Sequence, residues 1–276
     1  MSMDKLLQIE WMKIKNYRTF IILGLFFVLG VVTTNYIVYS VNKNVVGEIN
    51  TAGLVPSFNP YSFDNTWQTT SYVTGFLLVL PVLLLIILIT NEYTFRTNRQ
   101  NIIDGLSRQQ FISVKLMMAF IMAVICTLLV ILTGLTFAAF SGSSFSLNKF
   151  SHVGFFFLKS LSYFMLAVML SVWVRRTGFA IGIFFIYMGA ENIVSQLLDV
   201  WSMKIKRDTG LDLGSMGDYL PMNASDGLLT FPDNPLKTIT KSVMPTEYTW
   251  LILILAIVYL AGFVIFSRKF FIKRDL

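Results

Sequence analysis

A single cysteine, a single histidine and a charged share of only 13% in 276 residues remove several classes of function at once. Cys126 has no second cysteine to form a disulfide with and no thiolate companion for a metal site. His152 is alone, so neither a histidine metal centre nor a proton relay can be assembled from this chain. No Ser-His-Asp set and no carboxylate pair is spaced for a pocket, and no catalytic residue is expected. The sequence contains no G-x-x-x-x-G-K-[ST] run, so it has no phosphate-cradling loop with which to bind ATP. A nucleic-acid partner would need a basic face on a soluble domain, and none is available.

What is abundant is apolar: 55% of the residues are hydrophobic and the mean hydropathy is +0.67. Six runs, 20–41, 72–89, 116–140, 153–174, 178–198 and 250–267, have the length that crosses a hydrocarbon core roughly 30 Å thick. The expected fold is an all-α membrane protein of one domain, 1–276, embedded in the lipid bilayer. It has six transmembrane helices, an amphipathic interfacial helix at 2–19, a short helix within 91–115 and a small external segment at 199–248. The first run is too long for a signal-peptide core and lacks a small-residue cleavage pattern, so it is read as retained. Lys159 interrupts the fourth run and Glu191 the fifth.

Even-numbered spans put both termini on one side, and charge chooses the side. The terminal side carries 14 of the 22 basic residues and 5 of the 15 acidic ones, a formal +9 against −2 opposite. That asymmetry predicts cytoplasmic termini. In 2–19, Leu6, Ile9 and Met12 form an apolar stripe that reads either as an anchor or as a partner surface. Tyr61, Phe63 and Trp67 in the loop 42–71 read as an aromatic belt at the headgroups. Pro81 lies mid-span, where its missing N–H predicts a kink.

The stretch NEYTFRTNRQNIIDGLSRQQFISVK, 91–115, is polar and basic between two apolar runs. Thr97 with Gln100, and Ser107 with Gln110, are two capping boxes about ten residues apart, and Leu106 with Phe111 has the spacing of a hydrophobic staple. Gly105 suits the left-handed residue that ends a helix. A helix over 98–103 is predicted, then a corner, then the third span. Ile102, Ile103 and Leu106, flanked by Arg96, Arg99 and Arg108, would make a knob for a partner groove. The competing reading is a basic loop whose arginines meet lipid phosphates.

The order Glu92, Thr97, Arg99, Gln100, Gly105, Ser107, Arg108, Lys115 resembles the permease subunits of type-2 ABC exporters. Glu10, Trp11 and Lys13 in the first helix, the six-span layout, the external segment before the last span and the terminal SRKFFIKRDL fit the same resemblance. It implies that 91–115 is a coupling segment seated on a separate ATPase subunit, which would hold the ATP and Mg²⁺; no cofactor is expected in this chain. Thr97, Arg99, Gln100, Ile102, Ile103, Ser107 and Arg108 would dock that subunit, with Glu92 and Arg96 fixing the base of the second span. It further implies a second permease copy, as a homodimer or with a similar permease, in a bacterial plasma membrane.

Glu191 is the one acidic residue within an expected span, and Thr34 and Asn35 give the first span a polar face. All three are candidates for a pathway or gate, and helix-helix pairing is the alternative use. Lys159 is read as a snorkelling side chain or as a partner for Glu191. The expected function is export of an amphipathic cargo, lipid-like, peptide or drug, with sodium export as a variant. A self-contained secondary transporter or channel would call for intramembrane carboxylates, paired broken helices or an internal repeat. An enzyme or sensor working through 199–248 is the third reading.

Overall fold

The computed structural model describes residues 3–46, 59–103, 105–142, 144–232, 246 and 248–273. Every regular element among them is helical, as hydrocarbon requires when backbone groups must bond within their own segment. In chain order these are α1 (Met3–Ile14), α2 (Arg18–Val41), α3 (Phe63–Gly75), α4 (Val79–Thr94), α5 (Thr97–Ile103), α6 (Arg108–Phe140), α7 (Ser151–Val174), α8 (Thr177–Thr209), α9 (Asn223–Asp226) and α10 (Thr249–Lys273). Six helices are long and apolar enough to cross a membrane, counting α3 and α4 as one interrupted span.

The bundle is built around α7, which packs against α10, α6, α4 and α3. In the most apolar stretch of α7, 67% of residues are buried, against 17% in α2, α8 and α10, so α7 is the axis and those three form the outer wall. Small residues allow the closest approach: a methyl at Gly134 of α6 would meet the Trp67 ring of α3 at 3.4 Å and Thr70 Oγ1 at 3.2 Å.

Several boundaries differ from those expected. The second span begins at Phe63 rather than 72, because Tyr61, Phe63 and Trp67 are buried and not a headgroup belt. Trp67 donates its indole N–H to the Ser146 carbonyl at 2.9 Å, and the Tyr61 hydroxyl donates to Asn35 Oδ1 at 2.9 Å. With polar tips satisfied internally, the rings have no need of the water interface. The expected kink is a 3-10 turn at Phe76–Leu78, one turn before Pro81, where the ring displaces the preceding carbonyls. The fifth span does not stop at 198: α8 runs 33 residues to Thr209, about 50 Å at 1.5 Å per residue, and so extends well past a 30 Å core.

One end of the bundle gathers α1, the start of α2, the end of α4, α5, the start of α6, the α7–α8 corner and the end of α10. Asn91 to Tyr17 (2.8 Å), Thr90 to Thr177 (2.8 Å) and Arg108 to the Ile272 carbonyl (3.0 Å) tie it together. Because its charges are mostly basic, we call it the basic end.

Candidate functional site

The basic end is organised by one buried lysine. Lys115, in the second turn of α6, is 1% exposed. Its Nζ lies 2.7 Å from Glu10 Oε2 of α1 and 2.7 Å from Glu92 Oε1 of α4. Lys13 Nζ closes the ring at 2.9 Å from Glu10 Oε1 and 3.1 Å from Glu92 Oε1. Two cations alternate with two carboxylates, so the group is neutral, the condition under which charges tolerate burial. Burial pushes the Glu10 carboxyl up, but the ammonium of Lys115 and then that of Lys13 outweigh it and hold Glu10 below its ordinary value. Burial pulls Lys13 down, and the Glu92 and Glu10 carboxylates outweigh that and hold it above its ordinary value. Lys115 also sits 5.1 Å over the Phe111 ring.

This ring of charges explains why α1 lies where it does. Its buried face is Leu6, Glu10 and Ile14, spaced by four, while Met12 of the expected apolar stripe is exposed. Leu6 of the expected stripe is buried and Ile9 half-buried, so hydrophobicity found part of the face and missed Glu10. Glu10 turns inward because without it Lys115 and Lys13 would share the single carboxylate of Glu92, leaving the buried group with an uncompensated positive charge.

From Glu92 the chain leaves α4 through a corner at Phe95 and Arg96, the latter left-handed at φ 58°. Thr97 is therefore already helical when α5 begins, and its hydroxyl donates to the Glu92 carbonyl at 3.4 Å instead of capping with Gln100. The expected first capping box does not form. The far end of α5 is as expected: Leu106 N–H reaches the Asn101 carbonyl (3.1 Å) and Gly105 N–H the Ile102 carbonyl (3.1 Å), with Gly105 at φ 99°. That is a Schellman stop. The second capping box forms in both directions, Gln110 N–H to Ser107 Oγ at 3.2 Å and Ser107 N–H to Gln110 Oε1 at 3.0 Å.

Side chains of this strip divide cleanly. Asn98 is buried and Ile102 and Leu106 pack on the core, which fastens α5 to the bundle. Ile103 is 83% and Phe95 72% exposed, with Arg96 and Gln100 exposed beside them. The Arg99 side chain, and residue Asp104, lie outside the described residues. Arg108, half-buried, reaches across to α10, donating to the Ile272 carbonyl in its last turn at the surface, where a cation meets the negative end of the helix dipole. Phe111 stacks on Phe271 of α10 with ring centroids 4.8 Å apart. Sequence reasoning took Lys13, Glu10 and Lys115 as parts of a pattern but not as a cluster; the available signal was a lysine at the mouth of a 25-residue apolar run.

The remaining candidates lie elsewhere and are internally bound. Glu191 is buried and accepts the backbone N–H groups of Met222 (2.6 Å) and Asn223 (2.9 Å), so it caps α9. Lys159 does not snorkel and does not pair with Glu191: it is buried, 3.2 Å from Asp226 Oδ1, whose Oδ2 accepts from the Tyr163 hydroxyl at 2.9 Å. Together these hold the 216–229 segment down on α7 and α8. Asn35 is buried, bonded to Val31, Tyr61 and Thr74, and Thr34 donates to the Gly30 carbonyl at 2.7 Å.

No curated protein matches the chain. Residues 28–276 match the family model described as "Protein of unknown function (DUF2705)", and the chain belongs to that family.

Proposed function

We propose that the protein is the membrane-spanning subunit of an exporter driven by ATP hydrolysis in a separate polypeptide, with α5 as the element that seats on that ATPase. The observation that carries this reading is the exposed pair Ile103, at the end of α5, and Phe95, in the corner that leads into it, on an element that is fixed at both ends. Apolar side chains on a short, rigid, basic-flanked projection suit a protein groove. The α5 corner is also joined to three other helices, to α4 by the Thr97 bond, to α1 through Glu92 and the lysines, and to α10 through Arg108 and Phe111. A push on α5 would thus move several spans together.

In this reading the basic end faces the cytoplasm, ATP and Mg²⁺ belong to the partner, and a second copy or a similar permease completes the pathway. The cargo class it fits is amphipathic, because the buried Lys159 and Glu191 of the spans are engaged internally, by Asp226 and by the backbone N–H groups of Met222 and Asn223. Purification from mild detergent tests it. A stoichiometric P-loop ATPase should accompany the wild-type chain and be lost on Ile103→Glu, whose thermal unfolding should match wild type. A lone polypeptide with full transport activity contradicts the reading.

A further inference from the structure

Of the three outer-wall helices, α8 differs from α2 and α10 on its outward face. Away from its buried residues Ala180, Phe184, Glu191 and Ser202, the residues Gly182, Gly189, Gln196 and Met203 recur every seven positions along one line. A methyl at Gly178, Gly182 or Gly189 would meet nothing within 4 Å, whereas α2 and α10 each carry one such open glycine, Gly24 and Gly262. Glycines on one line let a second helix backbone come close, and a period of seven keeps two helices in contact at the shallow left-handed crossing common in membranes. Lipid could fill such a row too; the polar groups beside it decide between them.

Asn192 and Gln196 are both exposed on this face. They lie about 23 and about 29 Å along the helix from Thr177, within a hydrocarbon core roughly 30 Å thick. Neither α2 nor α10 turns an amide side chain outward, Asn35 of α2 being buried. Gln196 Nε2 donates to Asn192 Oδ1 at 2.7 Å. That bond leaves Gln196 Oε1 to accept and Asn192 Nδ2 to donate, neither with a partner among the described residues. Amide groups facing lipid without partners are costly, and side chains of this type bond between helices in membranes. A second copy of the same helix supplies the missing partners. Two copies inserted the same way round are related by an axis along the bilayer normal, so their α8 helices run parallel and a two-fold contact is self-complementary. Asn192 Nδ2 of each copy can then donate to Gln196 Oε1 of the other.

We propose that α8 packs along Gly182, Gly189, Gln196 and Met203 against the same helix of a second copy of this chain, with Asn192 and Gln196 hydrogen-bonded reciprocally across the two-fold axis. The proposal rests on the exporter reading for the second copy and adds the surface that joins it. It needs no ATPase, so it can fail while the α5 assignment stands.

Disulfide cross-linking of the full chain in membranes, in a Cys126→Ser background, tests it. Gly182→Cys, Gly189→Cys, Gln196→Cys and Met203→Cys, oxidised with copper phenanthroline, should each give a dimer band. Ala190→Cys and Leu197→Cys, about 100° further round the helix, should not, and neither should the exposed Leu25→Cys on α2 or Val258→Cys on α10. In mild detergent, Gln196→Leu should raise the dissociation constant of the dimer about five- to tenfold, as for two hydrogen bonds between membrane helices, and Gly189→Leu should leave a monomer. Position 189 is open and Gln196 exposed in the single chain, so thermal unfolding of the diluted, monomeric protein should match wild type for both. No dimer band at the four line positions, bands without the seven-residue recurrence, or a dimer joined at Leu25 or Val258 would overturn this proposal alone. A wild-type chain that stays monomeric at every concentration would overturn it together with the second-copy reading.

Discussion

Lys115 is held by carboxylates that stand 105 and 23 residues away in sequence, and it is the residue on which the basic end depends most. Replacing it with Met leaves Glu10 and Glu92 facing each other with only Lys13 between them, which should cost about 3–5 kcal/mol of stability, measured by thermal unfolding in detergent. Lys115→Met combined with Glu10→Gln should recover part of that loss, because the two share one cluster. The pH dependence follows from the two shifts. Glu10 is held below its ordinary 4.5, so its contribution is present above that value and is lost as pH falls through the lower, folded value. Lys13 is held above its ordinary 10.5, so its contribution is full below that value and is lost as pH rises through the higher one. Stability from this ring should be flat across neutral pH and fall on the acid side below 4.5, and Glu10→Gln should blunt that acid limb.

At the scale of single elements, α5 and its corner are the clearest case of sequence grammar and its limits. Gly105 and the Ser107–Gln110 box were legible because each depends on residues within a few positions of itself. Gly105→Ala, at φ 99°, should cost about 1–2 kcal/mol, and Ser107→Ala about 1 kcal/mol. Both should raise hydrogen exchange in 97–107 before exchange rises elsewhere. Thr97 looked equally good as a cap, and it failed because Arg96 turns left-handed as the chain comes out of α4, a consequence of packing. The face of α1 was read only in part for a related reason: Leu6 is buried as its pattern suggests, but the same pattern assigns Glu10 to water, and only a buried lysine on another helix reverses that. Lys159 repeats the lesson, its partner Asp226 being 67 positions further along the chain.

At the scale of the whole molecule, the number of spans was readable from hydropathy because length and apolarity are summed over some twenty residues and tolerate local exceptions. The ends of the spans were not, since α8 continues to Thr209 on polar residues and α3 enters the bundle on threonines that bond to carbonyls of their own helix or a neighbouring segment. Orientation is a separate matter, set by charge. In a Cys126→Ser background, a cysteine at the exposed Gln100 should resist a membrane-impermeant maleimide added to intact cells, and one at the exposed Leu211 should react. The reverse pattern would invert the molecule.

The central claim is that α5 is seated on a nucleotide-hydrolysing partner. A photo-reactive amino acid at position 103, in living cells, tests it most directly. The account predicts a cross-link to a polypeptide whose tryptic peptides include a G-x-x-x-x-G-K-[ST] loop, absent when the photo-reactive group is placed at Ile186, exposed on the apolar stretch of α8. Cross-links to lipid alone, or none under conditions where position 186 labels lipid, would contradict it.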